Sequence, residues 1–267
     1  MLDRIISAAE LDSEDVVLEV GPGLGVLTQR LVHAAGRVVA IEKDAKLAAS
    51  LSRRLRDPQN LTAVQADART CDLGGLLGQG VPYKVVANLP YYAANPIVRR
   101  LLECEHMPTL MVVMVQREVA RNMTASPGEM TLLSVAVQYY SDATLICDVP
   151  PSAFSPPPKV YSAVVRLDMK AEPAVHVFHQ QDFFDLVRAG FAAPRKQLRN
   201  SLAKGLDVTG QVAQGFLDSA GIDARRRSET LSIDEWALVY TAVEHQSRGQ
   251  AGQMPAEISV DAVSEIL

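Results

Sequence analysis

Five short runs rich in Val, Ile and Leu recur through the first half of this chain, at Val16–Val20, Arg37–Ile41, Leu61–Gln65, Tyr83–Asn88 and Thr109–Val115. Helical patterns lie among them at Leu24–Ala35, Asp44–Leu55 and Pro96–Glu103, and another follows at Arg117–Met123. Such alternation is satisfied by βαβ units feeding a mostly parallel, doubly wound sheet. The runs are continuously apolar rather than alternating, which predicts a sheet covered on both faces. Two further strands, about Thr144–Val149 and Tyr161–Met169, complete an α/β domain over residues 1–172. Between them Pro150–Lys159 carries five prolines and excludes a regular element.

Past Met169 the pattern turns helical, with candidates at Asp182–Phe191, Pro194–Lys204, Thr209–Ala220 and Ile233–Glu244. Pro194 suits a first turn, and Ser232 with Glu235 three residues on reads as a helix start. These elements predict a small α-helical domain over residues 173–248. Residues 249–267 hold Glu257, Asp261 and Glu265 but no Lys or Arg, which predicts a flexible acidic tail. No apolar run reaches the roughly 18–20 residues that span a bilayer. Met1–Glu10 lacks the basic region and cleavage site of a signal peptide. Cys71, Cys104 and Cys147 are odd in number and far apart, fitting a reducing, cytoplasmic setting rather than a disulfide framework or zinc site. The five histidines show no metal-ligand spacing, so no metal is expected. Net charge is −5, so any nucleic-acid contact must come from a local patch.

The first candidate site is Glu19-Val-Gly-Pro-Gly-Leu-Gly-Val-Leu-Thr28, between the first strand and its helix. An ordinary strand-to-helix turn needs one glycine, whereas Gly21, Gly23 and Gly25 let a ligand approach the backbone. A dinucleotide fingerprint is spaced G-x-G-x-x-G. The G-x-G-x-G spacing here, with Glu19 two residues ahead, instead resembles motif I of S-adenosylmethionine-dependent methyltransferases. Glu42 ends the second strand, where an acid can accept both hydroxyls of a ribose. Asp67 follows the third strand; in the same enzyme class an acid there accepts the adenine amine. Read alone, Asp67 is also a plausible helix cap.

The second candidate is Asn88-Leu-Pro-Tyr91, ending the fourth strand at the edge where doubly wound sheets bind ligands. The N6 amine of adenine is a poor nucleophile because its lone pair is delocalised into the ring. The Asn88 side-chain oxygen and the Leu89 or Pro90 carbonyl can accept its two N–H groups and draw the nitrogen toward tetrahedral geometry. Tyr91 can stack on an extruded base. Neither a general base nor a metal is needed before transfer, so the gain is orientation and electrostatics.

Glu19–Leu27, Asn88–Tyr91, Val149–Val160 and Phe191–Leu202 together closely resemble the ribosomal RNA adenine-N6,N6-dimethyltransferase family, across about residues 1–245. The resemblance implies a Rossmann-like S-adenosylmethionine-dependent methyltransferase sheet with a small C-terminal α-helical domain. It implies dimethylation of two adjacent adenines in the 3′-terminal hairpin of 16S rRNA, within the small ribosomal subunit or its precursor. A monomer is expected, although the sequence does not give the oligomeric state. Phe154, in the proline-rich segment, would stack on the adenine opposite Tyr91. The implied S-adenosylmethionine site comprises Glu19, Gly21, Gly23, Gly25, Glu42, Lys43, Asp67, Ala68 and Asn88, the last serving both ligands. Family members usually begin with an amphipathic Gly-Gln-x-Phe-Leu segment that closes over cofactor and target. This chain starts at Met1-Leu-Asp-Arg-Ile-Ile, past where that segment ends, which bears on affinity and turnover. Tyr92 stands where many small-subunit enzymes carry Asn, with little effect expected.

From Arg188 to Lys204 there are five basic residues and no acid. Arg195, Lys196 and Arg199 are the candidate RNA contacts, with Arg225–Arg227 adding to them. Phosphate contacts of this kind position the RNA while the pocket selects the base. Two rival functions share these features. One is an adenine methylase of 23S rRNA or DNA, because the Asn-x-Pro-Tyr chemistry is common to both. The other is a small-subunit assembly factor that binds without needing to methylate.

Overall fold

Seven strands form a single sheet in the order β3-β2-β1-β4-β5-β7-β6. They are β1 (Val16–Val20), β2 (Arg37–Glu42), β3 (Leu61–Gln65), β4 (Lys84–Asn88), β5 (Leu110–Gln116), β6 (Ser141–Val149) and β7 (Ser162–Met169). The first five are mutually parallel, while β7 runs antiparallel between β5 and β6. The sheet is therefore mixed, and the expected α/β class and Rossmann-like order are present. The central strands β1, β2, β4 and β5 are buried almost throughout, whereas the edge strands β3 and β6 are largely half-exposed. That contrast follows from helices covering both faces only at the centre. The strand order reverses at β1, which pairs with β2 on one side and β4 on the other. Ligands bind at such a switch point, beyond the carboxyl ends of the strands.

The structure, a computed structural model, describes residues 1–250. In the first of two compact units, Met1–His176 with Glu229–Ile233, the helices are α1 (Leu2–Ala9), α2 (Thr28–Ala34), α3 (Ala45–Arg54), α4 (Leu73–Leu77), α5 (Ala94–Glu103), α6 (Arg117–Met123) and α7 (Leu132–Tyr140). Helix α2 starts four residues later than its hydrophobic pattern predicts. Gly25 adopts φ +87°, outside helical space, and its N–H closes a turn onto the Pro22 carbonyl at 2.9 Å. Helices α1, α4 and α7 were not anticipated from the sequence. Helix α1 packs its Ile5 and Ala9 into the core under β4, β5 and β7, and Arg166 on β7 donates to the Ala8 carbonyl at 2.7 Å. Helix α7 is opened by a reciprocal cap between Thr131 and Ser134.

The second unit, Val177–Ser228 with the chain from Asp234 on, contains α8 (Gln180–Gly190), α9 (Leu198–Gly205), α10 (Gly210–Ser219) and α11 (Ile233–Gln250). Trp236, Phe183, Leu198, Leu202 and Leu217 form its buried centre. Gly190 is required there: a Cβ at this position would lie 2.2 Å from Trp236 Cη2. Pro194 precedes α9 rather than occupying its first turn. A separate turn, Lys196 N–H to Ala193 carbonyl at 2.8 Å, takes up that segment. The helix opens at Leu198 because the Leu198 and Arg199 N–H groups donate to the Arg226 and Ala224 carbonyls. Gly249 and Gln250, read from sequence as the start of the tail, continue α11; residues 251–267 lie outside the described residues. No described helix is long and apolar enough to cross a membrane.

Candidate active site

A cleft of about 390 Å³ opens at the carboxyl edge of the sheet, within the volume range of small-molecule sites. The ends of β1, β2 and β4 supply Gly21, Glu42 and Asn88. Lys43, Asp67 and Ala68 line it from the segments after β2 and β3, and Leu89, Pro90 and Tyr91 follow Asn88. Phe154, Pro156 and Pro158 reach it from the loop between β6 and β7. Gly21 of the glycine loop, the acid of the second strand and the tetrapeptide thus meet at one edge. Glu19, Gly23 and Gly25 do not line the cleft; they build its floor and loop.

Each glycine answers to a different neighbour. All three have φ between +58° and +87°, where a side chain is strained. A Cβ on Gly21 would sit in ordinary contact with Pro90 Cδ at 3.5 Å, so its φ rather than its space favours glycine there. A Cβ on Gly25 would strike Leu51 of α3 at 2.9 Å. At Gly23 the space is open, and the Gly23 N–H donates to Glu42 Oε2 at 3.1 Å. Glu42 Oε1 accepts the Asp44 N–H at 3.0 Å. A carboxylate offers about four acceptor positions, so each oxygen keeps one for a diol.

Glu19 is almost completely buried. Burial pushes its carboxyl up to about 8; the nearby Thr28 hydroxyl opposes this and the Glu42 charge adds to it. Neither Glu19 Oε2 nor Thr28 Oγ1 reaches a partner at hydrogen-bond geometry.

Asp67 differs from the sequence reading in one respect: its oxygens are already in use. Oδ1 accepts the Arg69 backbone N–H at 2.9 Å and Nε–H at 3.0 Å. Oδ2 accepts an Arg69 terminal N–H at 2.7 Å and has Lys43 Nζ at 3.3 Å. The Arg69 guanidinium holds the Asp67 carboxyl well below the usual carboxylate range.

Two residues that shape the site went unrecognised in the sequence. Arg100, on α5, donates to the Ala68 and Cys71 carbonyls with one guanidinium, clamping the loop that carries Asp67 and Ala68. Ser162, the first residue of β7, meets the Tyr91 hydroxyl at 2.5 Å. Neither had a local signal, because each partnership joins distant segments. Phe154 is half-buried and also packs on the core. Tyr92 is 77% exposed at the rim.

Arg195, Lys196 and Arg199 belong to the second unit, the first two on the segment before α9 and the third in its opening turn. All three form no ion pair among the described residues. Arg188, Arg225 and Arg226 by contrast are paired with Asp185, Asp223 and Glu235, which removes them from the free basic run. Among the described residues no group of three or more His, Cys, Asp or Glu could hold a metal.

The same architecture occurs in solved structures. A 23S rRNA methyltransferase, ErmE, superposes with a TM-score of 0.71 at 28% identity, covering 91% of this chain and 96% of that one. A dimethyladenosine transferase from Plasmodium falciparum gives 0.76 at 25% identity, covering 93% and 96%. Sheet order, glycine loop and tetrapeptide on one edge define a Rossmann-like methyltransferase. The family model for ribosomal RNA adenine dimethylase matches residues 1–245, and the chain belongs to that family. Similar relatives include the ribosomal RNA small subunit methyltransferase A of Dehalococcoides mccartyi (strain ATCC BAA-2266 / KCTC 15142 / 195), 46% identical over 90% of this chain and 84% of the relative. That of Pelotomaculum thermopropionicum is 45% identical over 90% and 85%.

Proposed function

We propose that this protein uses S-adenosylmethionine to dimethylate N6 of two adjacent adenines in the 3′-terminal hairpin of 16S rRNA, within the small subunit or its precursor. The observation that carries the reading is the meeting of Gly21, Glu42 and Asp67 with Asn88–Tyr91 and Phe154 around one cleft. The residues fit the cofactor: Gly21 holds at the cleft wall a positive φ that a side chain would strain, and Glu42 keeps acceptors for a ribose diol. When bound, S-adenosylmethionine supplies a methyl group on a sulfonium.

The chain's own residues do the rest. Asn88 accepts one N6–H of the target adenine through its side-chain oxygen. Of the two candidate carbonyls, that of Pro90 keeps a second lone pair but is engaged by the Ala93 N–H at 2.9 Å, which favours Leu89 for the second N6–H. Together they hold the nitrogen with its lone pair aimed for attack. Tyr91 and Phe154 hold the base from its two faces. As N6 takes the methyl and the donor sulfur is released as a neutral thioether, positive charge grows on the nitrogen and both hydrogen bonds strengthen. The amine proton then leaves to solvent. At the cofactor's adenine, Asp67 can accept the amine only if Lys43, the longer of its two cationic contacts, gives way. Arg195, Lys196 and Arg199 contact RNA phosphates. The protein works as a cytosolic monomer.

The test is methyl transfer to naked hairpin RNA, immature small subunits and duplex DNA, with the product read by mass spectrometry. Dimethyladenosine in RNA or subunits is expected. Methylation of DNA alone, or subunit binding with no transfer, overturns the reading.

A further inference from the structure

Tyr161 is 44% exposed and stands one residue before Ser162, whose hydroxyl holds Tyr91 at 2.5 Å. Arg117 lies over its ring, with the guanidinium carbon 4.7 Å from the centroid. The Arg117 N–H also donates to the Tyr161 carbonyl at 3.0 Å. These two residues extend the β5–β7 ladder one step past its last pair, Gln116 with Ser162. That step carries them beyond the carboxyl end of β5. Asn88 lies at the same edge, in register with Met114 of β5.

Folding alone gives little reason for this pair. An exposed aromatic ring gains little by burial, and the acid near Arg117, Asp148, is 4.0 Å away with both side chains well exposed. Such a pair contributes little and leaves the guanidinium able to meet another anion. Arg117 covers one face of the ring. An aromatic ring backed by an arginine in this way can receive an unstacked nucleotide, the base on the ring's other face and the phosphate on the cation. Turning one adenine out of its strand leaves the neighbouring bases without their stacking partner. The loop that brings Phe154 to the cleft ends at Tyr161, next to the Ser162 that holds Tyr91 of the cleft.

We propose that Tyr161 and Arg117 form a docking platform for the nucleotide next to the target adenine, the ring stacking on its base and the guanidinium contacting its phosphate. The inference rests on the RNA-methylating reading above. It is tested with the full chain and a hairpin RNA carrying 2-aminopurine beside the target adenine. Tyr161→Ala is expected to raise the KM for RNA about fivefold to a hundredfold, the equivalent of one base–aromatic stack. It should relieve quenching of the 2-aminopurine and leave kcat at saturating RNA and the affinity for S-adenosylmethionine unchanged. Tyr161→Phe should behave as wild type, because the ring suffices. Arg117→Gln should lower the salt dependence of RNA binding by nearly one unit of slope. Wild-type transfer to RNA with an unchanged RNA KM and unchanged quenching in Tyr161→Ala overturns the platform alone. A defect seen only on assembled subunits and absent on naked RNA also overturns it, pointing to a ribosomal protein instead. Failure of the wild type to methylate either RNA or immature subunits removes the functional reading and the platform with it.

Discussion

Asn88 is half of a hydrogen-bond pair whose value grows during the reaction, and its substitution separates chemistry from binding. Asn88→Ala should collapse the single-turnover rate at saturating RNA and cofactor while the fold survives, since the side chain is exposed. Wild-type rates in that variant would sink the mechanism. Tyr91 carries two roles. Its ring stacks, and its hydroxyl meets the buried Ser162 hydroxyl. Tyr91→Ala should lose activity through about 1–3 kcal/mol of stacking. Tyr91→Phe should keep much of the activity but leave the Ser162 oxygen unpaired, at about 1–3 kcal/mol of folding stability. Rate and urea midpoint measured on the same samples distinguish the two roles. Glu42→Ala should weaken S-adenosylmethionine by about 1–3 kcal/mol in calorimetry, through the lost diol acceptors and the freed Gly23 N–H.

At the scale of the element, β1 carries a carboxyl that the fold keeps protonated. Glu19 releases its proton near 4.5 when unfolded but near 8 when folded. The folded chain therefore binds more protons between those values. Its stability contribution is complete below the unfolded value and is lost as pH rises toward 8, at no more than about 1.4 kcal/mol per pH unit. Glu19→Gln should flatten that decline, which urea melts at several pH values would reveal; an unaltered slope would contradict the assignment. In the segment leading into α9, replacing Arg195, Lys196 and Arg199 by Gln should reduce the salt slope of RNA binding by about 0.7–0.9 per lost phosphate contact. A slope equal to wild type would make these residues a solvated face. Elements were legible where residue type forces geometry. Gly21, Gly23 and Gly25 require positive φ, and the apolar runs of β1, β2, β4 and β5 require cover on both faces. Helix α7 was not legible, because Leu-Leu-Ser-Val-Ala-Val-Gln-Tyr-Tyr mixes β-branched and aromatic residues and only its Thr131–Ser134 cap marks a start. Arg100 and Ser162 were not legible either. Their partners lie 32 and 71 residues away and are brought near by packing and by the β5–β7 register rather than by any local pattern.

Over the whole molecule, the single tryptophan sits at the buried centre of the second unit, so its fluorescence reports that unit's packing. Gly190→Ala drives a methyl into Trp236 and should lower the fluorescence-detected urea midpoint by an overpacking cost of about 1–3 kcal/mol. Cofactor affinity, a property of the first unit, should be unaffected. One consequence of the antiparallel β7 concerns how such an enzyme can diversify. Because β6 and β7 form a hairpin at one side of the sheet, the stretch from 150 to 161 is a turn-back and not a crossover. Its length can change without moving any parallel strand, and doubling a loop costs only about 0.6 kcal/mol in closure entropy. The parallel strands hold Glu42 and Asn88, while Phe154 rides on this exchangeable tip. Swapping the hairpin tip with that of a relative is therefore a route to retargeting the enzyme toward another nucleotide without rebuilding its methyl-donor site.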